Sequence, residues 1–132
     1  MAPHNRGGVL EKYVLIAVGG AAGALARYQV AAMVQARVAA GFPWGTFVVN
    51  MSGCFVMGIA MTLLTERVAS AAWRYLIPIG FIGAYTTFST FEMETFRAMS
   101  DRAFAIAAAN VVASVVVGYF AVWIGVVVAR IW

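Results

Sequence analysis

The chain has 132 residues, and 64% of them are apolar, whereas soluble proteins average about 45–50%. Charged residues make up 11%, against about 25% in soluble proteins, and the net charge of +4 is dispersed, without a basic run suited to nucleic acid. This composition excludes an ordinary soluble domain. It favours a membrane protein that forms one all-α domain over residues 1–132.

Four segments are long and apolar enough to cross a bilayer core, which takes about 20 residues. Residues 38–65 and 103–129 contain no charged side chain at all. The first segment is too long for a cleaved signal peptide and carries Arg27 within it. We predict four transmembrane helices, at residues 11–36, 44–65, 74–97 and 103–130. The connections between them are short, which places any function within or at the membrane.

Basic residues flank the predicted helices on both sides of the membrane. The side that holds both termini carries Arg6, Lys12, Arg67, Arg74 and Arg130, and the opposite side carries Arg37, Arg97 and Arg102. Positive charge normally fixes the orientation of a membrane protein, and this distribution is a weak bias. It is therefore compatible with insertion in both directions. Two-fold symmetry in the membrane plane would require a second subunit, since the odd-numbered helices of one chain run the same way.

The first predicted helix has three glycines shortly before an arginine. Gly19, Gly20 and Gly23 indicate close contact with another helix, because small residues let two backbones approach. Arg27 has two interpretations. Its side chain either extends to the membrane interface or places a positive charge in an aqueous vestibule that attracts anions.

The second and fourth helices each carry small and polar residues at one-turn spacing. On the second these are Thr46, Asn50, Gly53 and Met57, and on the fourth Asn110, Ser114 and Gly118. Residues at this spacing share one helix face. The two asparagine-bearing faces either join helices through hydrogen bonds or line a shared hydrophilic path.

The third helix contains the segment "GFIGAYTTFSTF" at residues 80–91. Proline and glycine weaken the helix here, at Pro78, Gly80 and Gly83. Thr86, Thr87 and Ser89 are the residue types that begin a new helix. We predict a helix break near the middle of this span. A break exposes carbonyls that favour a cation and amides that favour an anion.

Beyond the predicted break, two phenylalanines and a carboxylate each have two interpretations. Phe88 and Phe91 share a helix face and either pack against lipid or protein, or direct their electropositive ring edges at a small anion. Glu94 follows Thr90 by one turn and Thr87 by two. It is either an interfacial charge or an acceptor that orients hydroxyl donors toward an anion.

Three stretches together resemble the Fluc/CrcB family of fluoride channels. They are "GGAAGALARY" (19–28), "GTFVVNMSGCFVMG" (45–58) and "GFIGAYTTFSTF" (80–91), in the family's order. The resemblance implies an antiparallel, dual-topology homodimer with two pores in the bacterial inner membrane. Such a dimer would let cytoplasmic fluoride leave passively.

The resemblance also implies roles for individual residues. The fluoride pore would be lined by Phe88, Phe91, Asn50, Thr87, Thr90, Ser114, Glu94 and Asn110. Arg27 would face the vestibule, and backbone carbonyls of Gly83 and Thr86 from both chains would hold a structural Na⁺ at the dimer interface. Some members carry an aromatic hydroxyl at the position of Asn110.

Other functions fit the sequence less well. A small dual-topology multidrug or cation exporter needs a titratable carboxylate deep in an early span, where this chain has Arg27 and no acid between Glu11 and Glu66. An enzyme would need a metal-ligand cluster or a nucleophile–base pair, yet the one histidine, His4, lies in the N-terminal tail. A purely structural subunit would leave the amides and hydroxyls without a task. We therefore predict a fluoride channel and no enzymatic activity.

Overall fold

The computed structural model describes residues 6–38, 41–67 and 70–132. His4 and parts of two predicted connections lie outside these residues. The described ranges are helical throughout, apart from short turns, and contain no strand. The helices are α1 (Arg6–Gln35), α2 (Trp44–Glu66), α3 (Ala72–Arg74), a π-helical segment (Tyr75–Ile82), α4 (Gly83–Tyr85), α5 (Phe88–Ser100) and α6 (Phe104–Ile131). The predicted all-α fold is confirmed.

Three continuous helices have the length and composition needed to cross a membrane. They are Gly8–Gln35, Trp44–Glu66 and Phe104–Ile131. The third predicted span is a composite in which α3, the π-helical segment, α4 and α5 follow one another from Ala72 to Ser100. This arrangement agrees with a four-span chain whose third span is interrupted.

The first and third spans pack with their backbones in contact at two glycines of α1. A Cβ atom at Gly19 would collide with the carbonyl oxygen of Leu76, and one at Gly23 with the carbonyl of Phe81. A Cβ at Gly20 would meet nothing closer than a backbone oxygen 4.0 Å away. The predicted close contact is therefore confirmed for Gly19 and Gly23. Both positions exclude any larger residue unless the helices separate.

Helices α2 and α6 run parallel and are in equally close contact. A Cβ at Gly58 would collide with the carbonyl of Val122, and one at Gly125 with the carbonyl of Phe55. The C-terminal ends of the two helices are joined by an ion pair between Glu66 and Arg130, with Oε1 and Nη2 3.1 Å apart. These contacts join α2 and α6 along their length, and α5 is hydrogen-bonded to both.

The interruption of the third span lies later than its proline and glycines. Pro78 is buried inside the π-helical segment, whose wider turn accommodates a residue without an amide hydrogen. The chain leaves helical geometry only at Thr86 (ψ 153°) and Thr87 (φ −146°). The predicted break near the middle of the span is therefore confirmed, and it lies three residues after Gly83. As predicted, a threonine starts the next helix, because the Thr87 side chain accepts a hydrogen bond from the amide of Thr90.

The turn between α5 and α6 places an arginine in left-handed backbone geometry. Arg102 has φ 59°. Its amide donates to the Met99 carbonyl at 3.1 Å, and the Ala103 amide donates to the Ala98 carbonyl at 2.8 Å. This pair of bonds is the Schellman motif, in which the left-handed position is usually glycine.

We expect the change Arg102→Gly to stabilise the folded protein by about 1 kcal/mol, because a Cβ atom is disfavoured in left-handed geometry. A higher midpoint of thermal unfolding in detergent would check this. Asp101→Gly is the matched control, since Asp101 has φ −80° and gains nothing from glycine. A lower midpoint for Arg102→Gly would show that the arginine charge matters more than the backbone strain.

Candidate functional site

The start of α5 is held by the side-chain amide of Asn50 on α2. Asn50 Oδ1 accepts a hydrogen bond from the Thr87 amide at 2.8 Å, and Asn50 Nδ2 donates to the Thr87 carbonyl at 3.1 Å. Both polar backbone groups of the residue at the break are thus paired with one side chain. The amide joins two helices, which was one interpretation of Asn50. It also lines a cavity, described below.

A cavity of about 410 Å³ lies between α1, α2 and α5. Five of the residues singled out in the sequence line it together: Arg27, Thr46, Thr87, Thr90 and Glu94. The first turns of both α2 and α5 border the cavity, and the N-terminal end of a helix carries partial positive charge. The guanidinium of Arg27 adds a full charge and makes no ion pair within the described ranges. The part of this cavity that Arg27 and the two helix N-termini border is therefore suited to an anion.

Glu94 is the one acidic group in this cavity, and only half of its carboxylate is paired. Its Oε1 accepts a hydrogen bond from the Thr46 hydroxyl at 2.7 Å. Its Oε2 is buried and has no hydrogen-bond partner among the described residues. The sequence suggested that Glu94 acts on Thr87 and Thr90 of its own helix, but its bonded hydroxyl belongs to α2. Position along one helix did not reveal that partner.

A second cavity, of about 320 Å³, begins on the other side of Glu94. It is also lined by Arg97, Asp101 and Asn110. Glu94 is therefore shared between the two cavities, and its hydrogen bond to Thr46 lies where they adjoin. An arginine borders each cavity, Arg27 the first and Arg97 the second, and Asp101 adds a further carboxylate to the second.

The two phenylalanines lie close together but differ in burial. The ring centroids of Phe88 and Phe91 are 5.6 Å apart, with planes inclined by 40°. Phe91 is 7% exposed, whereas Phe88 is 73% exposed. Phe88 also borders a third cavity of about 270 Å³, together with Asn50 and Thr86. One ring thus packs inside the chain while the other points out of it.

The polar residues of α6 are not combined with Asn50 in one cavity. Asn110 is 2% exposed and donates through Nδ2 to the Thr95 hydroxyl at 2.9 Å. Ser114 is half-buried and lines none of the three cavities described here. Asn50 borders the third cavity and Asn110 the second. Within one chain the two amides border different cavities, and a path shared by both stays a prediction.

Two backbone carbonyls near the break lose their usual helical partners. In a helix, the amide four residues later donates to each carbonyl. The Thr87 amide, which would serve Gly83, donates to Asn50 instead, and the Thr90 amide, which would serve Thr86, donates to the Thr87 hydroxyl. Gly83 is exposed. These two carbonyl oxygens are consequently available to a cation, and they fit the donor set expected for Na⁺.

The sequence did not single out every polar residue at this site. Thr95 accepts from Asn110, Gln35 accepts from the Gly45 amide at 3.3 Å, and Arg97 borders the second cavity. Thr95 and Gln35 gave no signal, because their partners lie on other helices. Arg97 did give a signal in the sequence, since it follows Glu94 by three residues and so lies on the same side of α5.

Known proteins resemble this chain over nearly its whole length. Residues 14–126 match the model of a family described as CrcB-like protein, Camphor Resistance (CrcB). A protein of Solibacter usitatus named fluoride-specific ion channel FluC is 54% identical over 120 residues, which cover 90% of this chain and 98% of the relative. A protein of the same name from Acidobacterium capsulatum is 50% identical over 120 residues, covering 90% and 96%. A third, from Methylococcus capsulatus, is 47% identical over 116 residues, covering 87% of this chain and 51% of the relative.

Proposed function

The chain belongs to the CrcB family, and from this premise we propose that it is a fluoride channel, which lets fluoride leave the cytoplasm passively. It is a multi-pass plasma membrane protein, consistent with its long apolar helices. The observation that carries the proposal is the cavity at which Arg27 and the first turns of α2 and α5 meet. Positive charge without a nearby lysine or histidine cluster suits the passage of an anion rather than its capture.

Fluoride is small and holds its water tightly, so a pore must replace strong hydrogen bonds. The Thr87 hydroxyl donates to the Thr90 hydroxyl at 3.0 Å, which leaves the Thr90 hydroxyl hydrogen and the second amide hydrogen of Asn50 as donors of the required kind. The edges of the Phe88 and Phe91 rings add weak positive charge without a fixed ion. Conduction requires binding that is favourable enough for entry and weak enough for release. The pore roles of these residues, and of Ser114, Glu94 and Asn110, remain predictions.

A second copy of the chain, inserted in the opposite direction, would complete the pore. Two features support an antiparallel homodimer: the weak asymmetry of the flanking basic residues, and the exposure of the Phe88 ring next to the buried Phe91 ring. A predicted pore residue that points away from its own chain needs a neighbour. A tag placed at one terminus should be accessible from both sides of the membrane, because half of the molecules would insert in each direction. Accessibility from one side alone, or a monomer at all concentrations, would contradict the dimer.

A structural Na⁺ at the centre of this dimer would be held by carbonyl oxygens of Gly83 and Thr86 from each chain. The displaced amides of Thr87 and Thr90 support this, because they leave both oxygens without helical donors. The cation would supply fixed positive charge that favours anions nearby. Replacing Na⁺ by N-methylglucamine throughout purification should lower fluoride efflux and the dimer fraction. Unchanged values of both would exclude a required sodium ion.

Efflux from liposomes tests the proposed function directly. Purified protein is reconstituted into vesicles loaded with potassium fluoride and potassium chloride, and valinomycin starts the efflux. An ion-selective electrode for each halide then records release. We expect rapid release of fluoride with little release of chloride. Equal release of both halides, or release of neither, would overturn the proposal.

A further inference from the structure

Thr95 links the backbone of α5 to α6 through two hydrogen bonds. Its hydroxyl donates to the Phe91 carbonyl at 2.9 Å and accepts from Asn110 Nδ2, also at 2.9 Å. Asn110 is 2% exposed, so the donor of this bond is a buried side chain. A threonine that donates to the carbonyl one turn back usually has its hydroxyl there for local reasons only. Here the same hydroxyl also receives a donor from another helix.

The link to α6 acts on a different side of α5 from its links to α2. Asn50 holds the N-cap of α5, Thr87, and Thr46 binds Glu94. Thr95 is the next residue and points about 100° around the helix from Glu94. Among the described residues, its bond to Asn110 is the only side-chain hydrogen bond between α5 and α6. Two adjacent residues therefore fix α5 to two different helices.

This arrangement determines the rotation of α5 about its own axis. Hydrogen bonds on two sides of a helix oppose its rotation more strongly than bonds on one side do, and α5 has them on both. Phe91 lies one turn before Thr95, and its carbonyl accepts the Thr95 hydroxyl. We propose that Thr95 and Asn110 are a positioning pair, which sets the rotation of α5 and so the place of the Phe91 ring beside Phe88. The proposal rests on the fluoride-channel function.

Asn110 thereby joins two helices through a hydrogen bond, which was one interpretation of its position on α6. One of its amide hydrogens is committed to Thr95, although the side chain also borders the second cavity. It acts on the conducted ion through Phe91 rather than by direct contact.

The first test replaces Thr95 by valine, which keeps the shape of the side chain and removes the hydroxyl. We expect Thr95→Val to lower fluoride efflux by about tenfold or more, since small displacements of a site residue have effects of that size. Thr95→Ser should restore efflux, because it restores the hydroxyl. The matched control is Thr62→Val on α2. Thr62 is 7% exposed and donates to the Gly58 carbonyl at 2.8 Å, without a second helix attached to its hydroxyl.

A double variant separates positioning from stability. Thr95→Val leaves the Asn110 amide without its acceptor, and Thr95→Val with Asn110→Leu removes the unpaired donor too. We expect the double variant to recover the thermal stability lost by Thr95→Val while its efflux stays low. Recovery of efflux together with stability would show that the pair is only structural and would overturn the proposal. So would wild-type efflux from Thr95→Val, or an equal loss from Thr62→Val.

The failure of this proposal is distinguishable from the failure of the proposed function. If the wild-type protein releases no fluoride, the channel function fails before any variant is compared. If it does and Thr95→Val matches it, the positioning role alone is wrong. A nitrile-bearing phenylalanine at position 91 reports the surroundings of the ring through its stretching frequency, which does not depend on the thermal stability of the protein. Its stretching frequency should shift in Thr95→Val and return in Thr95→Ser, and an unchanged frequency would contradict the expected rotation of α5.

Discussion

Replacement of Asn50 by aspartate should reduce fluoride efflux by about 100-fold or more. The aspartate cannot donate to the Thr87 carbonyl, which now accepts from Asn50 Nδ2 at 3.1 Å, so two acceptors would face each other at the start of α5. The new negative charge would also repel a passing anion. At a separation of about 4 Å and an effective dielectric constant of about 20, this repulsion is worth about 4 kcal/mol. Liposome efflux measured with a fluoride electrode checks the result.

A neutral variant separates the two causes of that loss. Asn50→Leu removes both hydrogen bonds to Thr87 and adds no charge. We expect a smaller loss of efflux for Asn50→Leu than for Asn50→Asp, with dimers formed by both. If the two variants lose the same amount, charge is irrelevant at this position. If both conduct like the wild type, Asn50 does not belong to the conducting site.

Replacement of Phe88 by isoleucine should impair fluoride efflux strongly while leaving the fold intact. The ring is 73% exposed in the single chain, so its removal creates no internal cavity. Isoleucine has similar hydrophobicity but no electropositive ring edge, and an aliphatic group cannot replace water around fluoride. We expect a loss of about tenfold or more, the size of effect found when one aligned group of a site is lost. Efflux and dimer fraction are measured on the same preparation.

Phe104→Ile is the matched control for this change. Phe104 is 58% exposed, lies at the start of α6 and borders none of the three cavities described above. It should conduct at the wild-type rate. Equal losses in both variants would mean that exposed phenylalanines serve assembly or lipid contact. Normal efflux from Phe88→Ile would remove Phe88 from the pore.

The features that sequence predicts well here are the ones set by neighbouring residues. Span length, the glycine contacts of α1 and the threonine that starts α5 depend on composition, residue size and capping chemistry. Gly19 and Gly23 lie on one face, and the structure uses that face. Thr87 follows the break and accepts from Thr90. Each of these outcomes needs only local information.

The features that sequence missed depend on a partner far along the chain. Thr46 and Glu94 are 48 positions apart, and Asn50 and Thr87 are 37 apart. Their hydrogen bonds exist because α5 lies antiparallel to α2, so that residues later in α5 face residues earlier in α2. The π-helical segment around Pro78 escaped prediction for another reason. Proline normally ends or kinks a helix, whereas here the chain stays helical with a wider turn. This segment packs against α1, and such a contact between distant parts of the chain is not visible in the local sequence.

The hydrogen bond from the Thr87 amide to Asn50 has a consequence for both proposed ion sites. That amide can serve either Asn50 or the carbonyl of Gly83, but not both well. While the amide donates to Asn50 it does not donate to the Gly83 oxygen, so one hydrogen bond contributes both to the proposed pore and to the proposed sodium site. Thermodynamic linkage then requires reciprocity: whatever strengthens the Asn50–Thr87 contact raises sodium affinity, and bound sodium strengthens the contact in turn.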